Sequence, residues 1–253
     1  MGRALGEAWA HLSHVPLRAE ASDRAECVNE VLAGETVTEL ELGRGDWVNV
    51  RLPDGYEGWM DRRQLKPVTE MWQGQPIRLA NMTSAWRGVS GGLLPAGAVV
   101  REHLGEWHLG EQRIEPMNAA PTVHEGSMWA WAEQMLGVPY HWGGRCGWGF
   151  DCSGLTSLAA ALVGISVPRD ASMQFGQGLE VGLGHEELDD VVFFRNDKGQ
   201  ITHVGISDGQ GRVIHASGEV RIDVLKGDGL HRHEDDVKSH HVAGIRRWTR
   251  ALS

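Results

Sequence analysis

The sequence predicts an α+β domain preceded by two small β-barrels. Three observations carry this expectation. Residues 16–118 are short alternating runs broken by turns, and the pattern occurs twice. Two apolar runs of helical texture then follow within 128–163. From Asp190 the chain turns to strand-like segments separated by turn formers.

The 253 residues leave room for one large domain or two to three small ones. A net charge of −10 with no basic run argues against nucleic acid or an anionic membrane as partner. The longest apolar run, Leu155 to Pro168, is interrupted by Thr, Ser and Gly and is shorter than the roughly 20 residues of a membrane helix. Three cysteines do not make a disulfide framework. Met1 to Ala10 lack a basic start followed by an apolar core, so a cytoplasmic protein is expected.

Taken in order, residues 1–15 read as an N-terminal arm. Residues 16–68 form the first barrel: Trp47 to Leu52 alternates at period two, Pro53-Asp54-Gly55-Tyr56 is a turn, and Gly58-Trp59-Met60 starts another strand. Residues 75–118 form a second copy. Pro16-Leu17-Arg18 recurs as Pro76-Ile77-Arg78, Ala33-Gly34 as Ala96-Gly97, and Trp47 as Trp107. The second copy lacks the Asp-Gly-Tyr element and is expected to serve mainly as a spacer or packing module. Ala119 to Thr122 is a linker, and the third domain spans 124–253. Its first helix has Ser127 as N-cap, Met128, Trp131, Ala132 and Met135 on one face, and Gly137 as a left-handed stop.

The stretch from Tyr140 to Gly154 holds five glycines and leads into an unbroken apolar run from Leu155. Cys152 therefore falls at a loop-to-helix junction, where unpaired N–H groups and the helix dipole favour a thiolate. A lone cysteine is more often a small core residue. An Asp before Cys152, a Ser-Gly after it and a glycine-rich approach instead suit a nucleophile. Such a nucleophile needs a base, and the base needs an orienting group. Ile201 to Ser207 and Arg212 to Ser217 read as a hairpin. If Asp208, Gly209 and Gln210 form its loop, Ser207 pairs with Gly211 and His203 stands directly opposite His215. A two-residue loop would break that alignment. The run containing His231, His233, His240 and His241 with Glu234, Asp235 and Asp236 is irregular and reads as a solvated loop. No metal and no cofactor are assigned.

Several of these stretches, in this order, resemble the NlpC-type cell-wall peptidases, a papain-like cysteine peptidase family. They are Pro139-Tyr140, Trp142-Gly143-Gly144, Gly149 to Leu155, Pro168-Arg169-Asp170 with Gln174, Val192-Phe193-Phe194, His203 to Ile206 and Ile214-His215-Ala216. Asp189-Asp190 departs from the family's usual Gly-Asp pair. The two barrels look like bacterial SH3-like domains. The resemblance implies a papain-like NlpC-type catalytic domain preceded by two SH3-like barrels. It further implies Cys152 as nucleophile, His203 as base and His215 as the third, polar position, with the Tyr140 hydroxyl and the Cys152 N–H stabilising the oxyanion. Trp142 is expected at the substrate groove. In the branch with an N-terminal SH3-like domain, residues matching Asp151 and Ser153 hold the substrate's free amine. Glu26 (or Glu35) and Tyr56 match the acid and tyrosine that close that end. The implied substrate is a peptidoglycan-derived peptide, L-Ala-γ-D-Glu-diamino acid, cut before the diamino acid during recycling. An amidase or acyltransferase on a related fold, or a wall-binding protein without activity, are the alternatives.

Overall fold

The computed structural model describes residues 4–69, 72, 74–89, 91–117, 126–227 and 229–249. The chain divides into two compact units, residues 1–123 and 124–253. The expected linker at 119–122 lies outside the described residues.

The first unit holds two antiparallel sheets. Strands β1 (Gly6–Ala10), β2 (His14–Arg18), β3 (Cys27–Leu32), β4 (Thr36–Leu42), β5 (Trp47–Arg51), β6 (Glu57–Asp61) and β7 (Leu65–Pro67) are ordered β3-β2-β6-β5-β4-β1-β7. Alternation decides the faces: Val48 and Val50 of β5 and Met60 of β6 enter one core with Val15, Leu17 and Val31. Residues 6–10 are not an arm but a strand paired with both β4 and β7. The apolar signal there is weak because only the small Ala8 and Ala10 face this core, while Trp9 joins the neighbouring one.

That neighbour is the second sheet, made of β8 (Gln75–Arg78), β9 (Thr83–Arg87), β10 (Leu93–Pro95), β11 (Val99–His103), β12 (Glu106–Leu109) and β13 (Gln112–Pro116). Its core of Leu79, Trp86, Leu94, Val100, Leu109 and Ile114 takes in Trp9 and Ala33 from the first barrel. The Val99 N–H donates to the Ala33 carbonyl at 2.8 Å. Arg78 Nη1 meets Glu35 Oε1 at 2.6 Å. Gly34, at φ +78°, lies so close that a Cβ would stand 1.8 Å from the Val99 carbonyl oxygen. The second barrel is thus packed onto the first rather than tethered to it.

The second unit opens with α1 (Met128–Ala132) and one 3₁₀ turn, Glu133–Met135. Ser127 caps α1 through the Ala130 N–H, and Gly137 adopts φ +81° as expected. Then come β14 (Arg145–Cys146), β15 (Gly149–Phe150), α2 (Cys152–Leu162), α3 (Ala171–Gln174) and β16 (Leu179–Val181). The main sheet follows: β17 (Leu188–Arg195), β18 (Ile201–Asp208), β19 (Arg212–Ser217), β20 (Glu219–Lys226), β21 (Gly229–His231) and β22 (Lys238–Arg247). Because β22 pairs with both β17 and β21, these six antiparallel strands close into a ring, and β16 adds to β22. Closure explains the continuous apolar run of β17. Val192 and Phe194 pack inside with Val213, Leu230 and Ile245, while Val191 and Phe193 are buried on the other face. His231, His240 and His241, expected within a solvated loop, belong instead to β21 and β22.

Candidate active site

Asp151 is the N-cap of α2 and Cys152 its first residue, so the expected loop-to-helix junction is present. The backbone here is tightly folded. A Cβ on Gly154 would stand 2.1 Å from the Gly144 carbonyl oxygen, which itself accepts the Asp151 N–H at 3.0 Å. Side chains lock the same turn. Asp151 accepts from the Gly154 N–H at 2.7 Å, the Gly143 N–H at 2.9 Å, and Arg169 Nη1 and Nη2 at 2.9 and 2.5 Å. Arg169 Nη1 also donates to Ser153 Oγ at 2.9 Å, and Gln174 Nε2 to the Ser153 carbonyl at 3.1 Å. Arg169 is 3% exposed, Asp151 6% and Ser153 7%.

With both Asp151 oxygens engaged by two N–H groups and a buried guanidinium, Asp151 and Ser153 help fix the turn that carries Cys152. Arg169 and Gln174, present in the sequence motif without a task, are the other half of that lock.

Burial pushes the Cys152 thiol up to about 11, and the Asp151 charge acts in the same direction. The Ser153 and Val204 N–H groups and Arg169 oppose this without overcoming it. Desolvation of a residue only 8% exposed thus works against the low thiol pKa expected at the helix terminus. Tyr140 is likewise pushed up to about 12, by burial and then by Cys152 and Asp151, which keeps its hydroxyl a donor.

The Val204 N–H that reaches the sulfur adjoins His203 on β18. His203 Nε2 lies 2.7 Å from His215 Nδ1. The two rings meet, but not by the expected register. Ile206 pairs with Ile214 and Ser207 with Val213, which moves the loop to Gly209-Gln210-Gly211 and leaves His203 and His215 as diagonal neighbours. Asp208 causes the shift by accepting the Gln210 and Arg212 N–H groups at 2.8 and 2.9 Å, with Gly209 and Gly211 at φ +72° and +88°. The change keeps both histidines on one face, so contact survives.

Two further residues complete the cluster. His215 Nε2 lies 3.1 Å from Asp223 Oδ2, and His240 stacks on His203 with centroids 4.4 Å apart. Burial, then His215 and His240, hold His203 well below the usual histidine range. Asp223 was not singled out from sequence, and His240 was read only as part of a solvated loop. An aspartate between Ile222 and Val224 in mid-strand, where Asp is depleted, was the available signal for Asp223.

Trp142 is 61% exposed, in the loop ahead of Cys152. Glu26 and Tyr56 belong to the first unit, where Glu26 is exposed and Tyr56 packs partly against the first barrel's core. The fallback, Glu35, is tied to Arg78 and the Leu32 N–H. Among the described residues no helix is long and apolar enough to cross a membrane.

Residues 137–238 match the NlpC/P60 family and residues 17–65 the bacterial dipeptidyl-peptidase Sh3 domain. A γ-D-glutamyl-L-lysine dipeptidyl-peptidase of Bacillus subtilis is 30% identical over 214 residues, covering 74% of this chain and 71% of the relative. The Bacillus cereus protein of the same name is 29% identical, over 74% of this chain and 66% of that one. A solved NlpC/P60 family protein from Bacillus cereus superposes with a TM-score of 0.77 at 22% identity, covering 96% of this chain and 99% of that one.

Proposed function

Because this chain belongs to the NlpC/P60 family and is a cysteine peptidase, we propose that it hydrolyses the γ-D-glutamyl–diamino acid bond of peptidoglycan-derived peptides bearing a free N-terminal L-alanine. The observation that carries the proposal is the 2.7 Å contact between His203 Nε2 and His215 Nδ1, on the strand whose Val204 N–H reaches the Cys152 sulfur. In this reading His203 Nδ1 takes the thiol proton as sulfur attacks the γ-carbonyl of D-glutamate. The Tyr140 hydroxyl and the Cys152 N–H hold the oxyanion. Collapse expels the diamino acid, whose amine takes the proton from His203, and water then hydrolyses the thioester. Trp142 lines the groove. By the resemblance, Asp151, Ser153, Glu26 and Tyr56 are the candidates to hold the alanine ammonium, which needs a carboxylate to offset its desolvation. A free-amine requirement restricts the enzyme to released fragments, which suits recycling in the cytoplasm.

The test is incubation with L-Ala-γ-D-Glu-L-Lys and its meso-diaminopimelate counterpart, with products read by mass spectrometry. Release of L-Ala-D-Glu is expected from the wild type and from Cys146→Ala, and none from Cys152→Ala. N-acetylating the alanine should lower kcat/KM by at least about 100-fold, or roughly 2.7 kcal/mol. Equal cleavage of both forms would defeat the amine requirement and the recycling role. A fully active Cys152→Ala would defeat the mechanism.

A further inference from the structure

We propose that Asp223 is the terminal positioning residue of the site, setting through two hydrogen bonds which nitrogen of His203 accepts the proton. This rests on the assignment of His203 as the base.

The argument is one of donors and acceptors. Asp223 is 1% exposed and has two distinct oxygens. Oδ1 accepts from Arg221 Nε and Nη2 at 3.2 and 2.9 Å and from the His233 N–H at 3.1 Å. Among the described residues, Oδ2 faces only His215 Nε2, at 3.1 Å. Burial works to raise this carboxyl, but the bonds from His215, Arg221 and His233 prevail and keep it ionised. An ionised carboxylate only accepts, so His215 carries its proton on Nε2 and presents the Nδ1 lone pair to His203. His203 must then hold its proton on Nε2 to bridge the 2.7 Å gap, which leaves Nδ1 unprotonated. That nitrogen is the one a base needs. Both links are diagonal: Asp223 pairs directly with Val213, and His215 with Arg221. The chain Asp223–His215–His203 thus crosses β20, β19 and β18 on one face.

The wiring predicts an inversion of the usual severity order. In Asp223→Asn the amide oxygen stays with the three donors at Oδ1, which turns the NH₂ toward His215 Nε2. His215 must then move its proton to Nδ1, and His203 must move its own to the nitrogen that should accept. Asp223→Ala imposes no such reversal. The asparagine variant should lose at least about 100-fold in kcat/KM on L-Ala-γ-D-Glu-L-Lys, and the alanine variant only about tenfold. Side-chain ¹⁵N NMR should show both rings as Nε2–H in the wild type and both reversed in Asp223→Asn. A wild-type His215 protonated on Nδ1, unchanged tautomers in Asp223→Asn, or an asparagine variant no worse than alanine would each overturn the proposal. Should the wild type leave the tripeptide intact, the functional reading falls, while the ring tautomers still decide the role of Asp223.

Discussion

His240 lies almost flat on His203, 17° from parallel, on the ring that must stay neutral to serve as the proposed base. Burial and the neighbouring His215 and His240 all disfavour the His203 cation, so protonation that silences the base occurs only below the ordinary histidine value of 6.5. Burial, which pushes the thiol up and His203 down, favours a neutral thiol–imidazole pair at rest. The acid limb of kcat/KM should therefore fall below pH 6.5, followed by a broad plateau. His240→Ala admits water and removes a potential positive neighbour. Both effects raise the His203 pKa, so the limb should shift upward, toward pH 6.5. A downward or absent shift in the pH–rate profile would contradict this. At this scale the sequence made legible the placement of Cys152 at a helix start and the meeting of His203 with His215. At Asp151 the cap was legible, but the buried Arg169 that pairs with it from 18 residues away was not. Asp223 and His240 sit on strands apart from the recognised motif stretches, and only the sheet register brings them to the base.

Among the elements, α1 shows how a departure from the family pattern is absorbed. Asp189 adopts φ +72°, a conformation that favours glycine, which accounts for the glycine usual there. Its carboxylate gains a task that glycine lacks, accepting from the Met128 and Trp129 N–H groups at 3.0 and 2.9 Å. A helix of five residues has little stability of its own, so its unsatisfied N–H groups matter. Asp189→Gly should exchange lost caps for relieved strain and stay within about 1 kcal/mol of wild type. Asp189→Ala loses the caps, keeps the strain, and should cost about 2 kcal/mol in urea unfolding. Equal stability of the two variants would refute this account. The helices and strands of this unit were readable from periodicity and capping. The β18–β19 register was not, because the loop position depended on whether Asp208 closed the turn or began it.

Across the molecule, the two small barrels behave as one body because Trp9 and Ala33 lie in the second barrel's core. The repeat was legible in sequence, but this sharing was not, since nothing in Trp9 itself tells which core it enters. Gly34 makes the junction testable. Gly34→Ala combines a positive φ with a Cβ at 1.8 Å from a carbonyl oxygen, whereas Gly55→Ala meets the φ of +87° with nothing within 4 Å. The first should destabilise the first unit by well over about 2 kcal/mol and the second by about 1, as read by calorimetry of the full chain. Similar costs would mean the junction gives way easily. The closure of the main sheet by β22 has a temporal side as well. On the ribosome, Cys152 emerges long before β22, which seals the ring between β17 and β21 and brings His240 to His203. Until then the nascent chain lacks the His240 ring that stacks on His203. What it exposes instead is two raw strand edges, and the hazard of that interval is sticking to another unfinished copy.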